Sequence, residues 1–77
     1  MEELLAYLVR ALVDEPDAVE VGSFAEDERT TVLELRVAER DQGKVIGRGG
    51  RTISALRTVM RACGARGERR VLVDLVD

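Results

Sequence analysis

The 77-residue chain predicts a small α+β domain of two layers, in which helices cover one face of a three-stranded sheet in the order αββααβ. Two patterns carry that expectation. Apolar residues recur at helical spacing over residues 4–12 and 53–63, and alternation marks the segments around residues 30–38 and 71–75. A third observation is a glycine cluster at residues 47–50, which interrupts any regular element between them.

Leu4, Leu5, Leu8, Val9 and Leu12 form an apolar stripe, so the first helix is expected over about residues 2–13. Asp14-Glu15-Pro16-Asp17 ends it, because proline cannot continue a helix and pushes the residue before it toward extended geometry. A strand over 18–24 follows, with Val19, Val21 and Ser23 on one face and Glu20 on the other. Glu26-Asp27-Glu28 reads as the hairpin tip. From Thr30 to Ala38, Leu33, Leu35 and Val37 alternate with Glu34 and Arg36, the signature of a half-buried strand. Glu39 to Ile46 is long enough for two helical turns, weakened by Gly43.

Beyond the glycines, Ile53, Leu56, Met60 and Cys63 share one helical face. Cys63 is expected as a small buried hydrophobe there. Gly64 and Gly67 are expected to stop the helix and make a turn, and Val71, Val73 and Leu75 then alternate with Leu72 and Asp74 in a last strand. No repeat, linker or low-complexity stretch breaks the chain, so residues 1–77 are expected to form a single domain with one thin core.

Hydrophobic residues make up 45% and charged residues 35%, a balance suited to a packed globular chain rather than a disordered one. No run approaches the roughly 20 apolar residues of a membrane span, and acidic Glu2 and Glu3 stand where a signal peptide would be basic. A cytoplasmic location without membrane attachment is the resulting expectation. One cysteine excludes an internal disulfide, and with no histidine neither a metal site nor a cofactor is expected. An enzyme would need a nucleophile with its base, a metal, or converging carboxylates, and no such set is recognisable, so no enzymatic activity is expected.

The net charge of −3 hides an asymmetry. Residues 1–39 hold three basic and eleven acidic residues, a balance of −8, whereas residues 40–77 hold nine basic and four acidic, a balance of +5. Such a division either marks a one-sided site for a polyanion or is solvated surface on both halves.

The segment that narrows the choice runs from Gly43 to Ile53. A Walker A loop ending at Gly50 needs glycine and lysine where Val45 and Arg51 stand, and a dinucleotide fingerprint from Gly47 needs glycine where Thr52 stands. What fits is Val-Ile-Gly-x-x-Gly-x-x-Ile over Val45–Ile53. Glycines at both ends of the loop let two helices meet without a linker and leave no side chain in the way of a sugar-phosphate backbone. The following helix begins at about Gly50 and aims its unpaired N–H groups and positive dipole end at the same place. Arg48 and Arg51 add bidentate cations and Lys44 a point charge. The bland alternative is a helical corner with solvated arginines. Val45, Ile46 and Ile53 read as core, with Ile46 alternatively at a groove edge. Arg57 and Arg61, an i, i+4 pair, are either a solvated face or an extension of the basic surface.

These residues resemble the KH domain family in its type II order, and more narrowly its small bacterial stand-alone KhpA-type group. The likeness covers nearly the whole chain. Beside the loop it rests on residues 12–21 (LVDEPDAVEV), on Asp41-Gln42-Gly43-Lys44-Val45-Ile46-Gly47 and on Ala55-Leu56-Arg57-Thr58-Val59. One departure stands out: the group often carries lysine then glutamine between the outer glycines, whereas this chain has Arg48-Gly49, a looser loop without the glutamine's contact.

The resemblance implies a clamp on about four nucleotides of single-stranded RNA. Lys44, Ile46, Gly47, Arg48, Gly49, Gly50 and Arg51 would form it, with the bases over an aliphatic groove. It also implies a general RNA-binding factor or RNA chaperone, a homodimer, and pairing with a larger KhpB-type protein. With only Tyr7 and Phe24 as aromatics, ring stacking would be minor and sequence selectivity low, and a single copy would bind at about micromolar strength in a salt-sensitive way. A KH-shaped protein-interaction adaptor with no RNA role of its own is the rival reading.

Overall fold

The computed structural model describes residues 1–76. Its elements are α1 (Glu2–Arg10), β1 (Glu20–Ala25), β2 (Thr30–Arg36), α2 (Gln42–Ile46), α3 (Arg51–Arg66) and β3 (Arg70–Leu75), with 3-10 turns at Pro16–Ala18, Glu39–Asp41 and Arg48–Gly50. This is the expected αββααβ order.

The sheet runs β1-β2-β3 with β2 in the centre. β1 and β2 are antiparallel, joined by a hairpin whose Asp27 carboxylate accepts the backbone N–H groups of Arg29 (2.8 Å) and Thr30 (2.7 Å). β2 and β3 are parallel, with Leu33 opposite Val73. A parallel pair cannot be closed by a tight turn, and α2 and α3 make the crossover.

Leu33 and Leu35 of β2 and Val71 and Val73 of β3 meet Leu5 and Val9 of α1, Val45 of α2, and Ile53, Leu56 and Met60 of α3 in one core cluster. Leu5, Val9, Leu33, Leu35, Val45 and Met60 are fully buried, each contributing about 1.5–3 kcal/mol relative to exposure. The opposite sheet face also carries an apolar row, because Phe24 faces Val32 and Val32 faces Leu72 in register, leaving Val32 only 8% exposed.

Several local expectations shift. α1 stops at Arg10, short of residue 13, and its buried face is Leu5, Ala6 and Val9, so Leu4 and Leu12 lie exposed. β1 begins at Glu20 because Pro16, with its fixed φ, opens a 3-10 turn that occupies the expected strand start. Gly64 does not stop α3: it is buried within the helix, which runs on to Arg66 and is capped by Gly67. A Cβ at Gly64 would lie 2.8 Å from the Arg69 carbonyl oxygen and 2.5 Å from Val71 Cγ2, so glycine is there to let β3 approach. Cys63 is half-buried rather than in the core, since Gly64 takes the inner position of that turn.

Candidate nucleic-acid interface

α2 ends against α3 with only Gly47-Arg48-Gly49-Gly50 between them. Gly47 has φ 77° and ψ 171°, a conformation essentially reserved for glycine, while Gly49 (φ 64°, ψ 19°) and Gly50 (φ 78°, ψ 15°) are left-handed. The Gly47 N–H donates to the Gly43 carbonyl at 2.9 Å and the Gly50 N–H to the Gly47 carbonyl at 3.1 Å. Those bonds fold the four residues into one tight corner. A Cβ at Gly49 or Gly50 would meet no atom within 4 Å, so the outer side of the corner is open.

Gly50 is the N-cap of α3, and no side chain caps it. The positive end of a 16-residue helix is therefore presented at the loop without a side-chain cap. Arg48 and Arg51 are exposed, and neither has an ion-pair partner among the described residues. Ile46 is 42% exposed, so it belongs to the rim, while Val45 and Ile53 are core as expected. Ile46 is excluded from the core because α2 is a single turn and a half, and only Val45 points inward.

Lys44 is placed differently from its sequence reading as a free point charge. Its Nζ donates to Asp14 Oδ2 at 2.5 Å, and Arg40 lies 3.7 Å from the same oxygen and 3.8 Å from Glu15 Oε2. Lys44 beside Asp14 holds that carboxyl below its ordinary value.

The segment bearing these acids is fixed by Asp41, which is fully buried and accepts the N–H groups of Asp14 (3.1 Å) and Glu15 (3.0 Å). Sequence reasoning passed over Asp41. Its place just before a helix suggests an N-cap, but its side chain makes no cap bond and turns instead to a segment 26 and 27 residues away.

Arg57 and Arg61 do not gather at the glycine loop. They line a cleft of about 200 Å³ between α3 and the outer edge of β3, together with Arg70, Val71, Leu72 and Val73. Arg57 Nε donates to the Val73 carbonyl at 3.2 Å, tying helix to strand. Because α3 and β3 are joined by a short turn and run antiparallel, this cleft leads along the helix toward the loop. On the other side of α3, Leu8 of α1, Leu12 in the turn just after it, and Ala55 and Val59 of α3 line an apolar groove, with Leu12 and Val59 each 43% exposed.

Among the described residues no group of three histidine, cysteine, aspartate or glutamate side chains could hold a metal ion, and no helix is long and apolar enough to cross a membrane.

The family model of the KhpA/KhpB KH domain matches residues 2–75. A Streptomyces coelicolor protein named RNA-binding protein KhpA is 56% identical over 77 residues, covering all of this chain and 92% of that protein. Proteins of the same name from Borreliella burgdorferi and Caldanaerobacter subterraneus are 45% and 42% identical, over 97% and 99% of this chain and 90% and 100% of their own lengths.

Proposed function

Because this chain belongs to the KhpA/KhpB family of KH domains, a non-enzymatic family, we propose that it binds single-stranded RNA through the corner between α2 and α3. One observation carries the reading. Three positive-φ glycines stand at the uncapped start of α3, together with two arginines that have no ion-pair partner among the described residues. In such a corner the RNA backbone approaches main-chain N–H groups directly, and Arg48 and Arg51 pair with phosphate oxygens.

From the loop the strand runs into the cleft between α3 and β3. Along that path Ile46, exposed at the end of α2, and the β3 edge take the bases, while Arg57 and Arg61 extend the basic track. Tyr7 and Phe24 lie on α1 and β1, away from this cleft, so bases are read without ring stacking and with little sequence selectivity.

The rest of the proposal carries over what the family resemblance implies. Residues 1–77 act as one KH unit in the cytoplasm, as a general RNA-binding factor or chaperone. The chain works as a homodimer or paired with a KhpB-type protein. The exposed apolar groove between α1 and α3 supports a protein contact of that kind. It is also the one observation favouring the adaptor reading, in which that groove is the functional surface and the loop carries no RNA.

Amide chemical shifts recorded while a short single-stranded RNA is added separate the two readings. Movement concentrated at residues 46–54 and 70–73 is the expected result; unmoved spectra at saturating RNA would leave the adaptor.

A further inference from the structure

We propose that Arg40 and Lys44 form a second phosphate-binding position beside the glycine loop, which Asp14 occupies in the free protein and which RNA must take from it. This rests on the RNA-binding reading above.

The arrangement is built from both sides. Asp41 is buried and holds the backbone of Asp14 and Glu15 at 3.1 and 3.0 Å, so the two carboxylates are delivered to a fixed place. Arg40 immediately precedes Asp41, and Lys44 follows it by three residues, one helical turn away. The same aspartate thus positions the acids and carries the cations on either side of itself. Lys44 Nζ and Arg40 Nη2 converge on a single oxygen, Asp14 Oδ2, at 2.5 and 3.7 Å. Two cations converging on one oxyanion is the geometry a phosphate oxygen asks for, and Asp14 stands in its place.

All three side chains are well exposed, with Asp14 at 48%, Lys44 at 47% and Arg40 at 66%, so an incoming strand can reach them. Lys44 lies about 4.5 Å along the α2 axis from Gly47, close enough to meet a phosphate neighbouring the one in the loop. An exposed ion pair of this type is weak, so displacement is affordable in free energy yet measurable.

The test is anisotropy of a labelled single-stranded RNA against wild type, Asp14→Asn, and Asp14→Asn combined with Arg40→Ala and Lys44→Ala. Asp17→Asn serves as a control of equal charge change outside the contact. Asp14→Asn is expected to tighten binding about two- to fivefold. It should also steepen the dependence of log K on log salt by about 0.7 for each phosphate newly neutralised. Removing Arg40 and Lys44 should abolish both gains, and Asp17→Asn should reproduce neither.

Should Asp14→Asn unfold, Asp14→Ser, which keeps the backbone bond to Asp41, is measured in its place. Unchanged affinity in the Asp14 variant, or a gain that survives loss of both cations, overturns the proposal while leaving the loop reading intact. A wild type that binds no RNA overturns both.

Discussion

Gly47 is packed so closely on Thr52 that a side chain at residue 47 would overlap the Thr52 hydroxyl and lie 2.8 Å from its backbone nitrogen. The corner therefore depends on glycine twice, for φ 77° and for the contact. Gly47→Ala is expected to cost about 3 kcal/mol, combining backbone strain with overpacking, and to lower Tm by about 10 °C or more. Thermal unfolding followed by circular dichroism reads this directly; a Tm within two or three degrees of wild type would contradict it.

Gly64→Ala should destabilise although alanine is the better helix former by about 1 kcal/mol. The added methyl meets the Arg69 carbonyl and Val71, and neither can retreat without parting β3 from α3. A net loss of about 1–2 kcal/mol in denaturant unfolding is the expected outcome. A gain in stability would show that the strand can shift.

Asp41→Ala leaves the N–H groups of Asp14 and Glu15 without their acceptor in a partly buried setting. The expected loss is about 2–4 kcal/mol, and Asp41→Asn, which keeps one acceptor oxygen, should lose less. Equal losses in the two variants would mean that the acceptor oxygens are not what holds the segment.

Acid should weaken the fold through particular carboxylates. The Arg29 and Thr30 N–H groups hold Asp27 below its ordinary value, Lys44 does the same for Asp14, and the Ser23 hydroxyl for Glu2. In each case the folded value lies below the unfolded one. Their stabilising effect is therefore present above the unfolded value and lost as pH falls through the folded one. Tm should drop between about pH 5 and pH 2, and less steeply in Asp27→Asn.

The periodic parts of the fold were legible because their signals are local: Leu33 and Leu35 alternate, and Ile53, Leu56 and Met60 share a face, whatever the rest of the chain does. The misread positions depend on partners far away in sequence. Gly64 looked like a helix stop because its reason for being glycine is Val71 across the turn. Leu4 and Leu12 looked like core because a stripe of five leucines and valines does not say that α1 buries only its Leu5–Val9 side. The loop was legible from its spacing, whereas the pairing of Lys44 with Asp14, 30 residues apart, left no mark in either segment alone.

Arg48→Asp with Gly49→Asp tests the loop most directly. Gly49 is left-handed with open space at its Cβ, a conformation aspartate tolerates better than most residues, so the variant should fold. Binding of a labelled single-stranded RNA is measured by fluorescence anisotropy at two salt concentrations for wild type and variant, with circular dichroism confirming both folds. Salt-sensitive binding by the wild type and its loss in the folded variant is the predicted result; equal affinity in the two proteins, or affinity indifferent to salt, would contradict the loop as the RNA clamp.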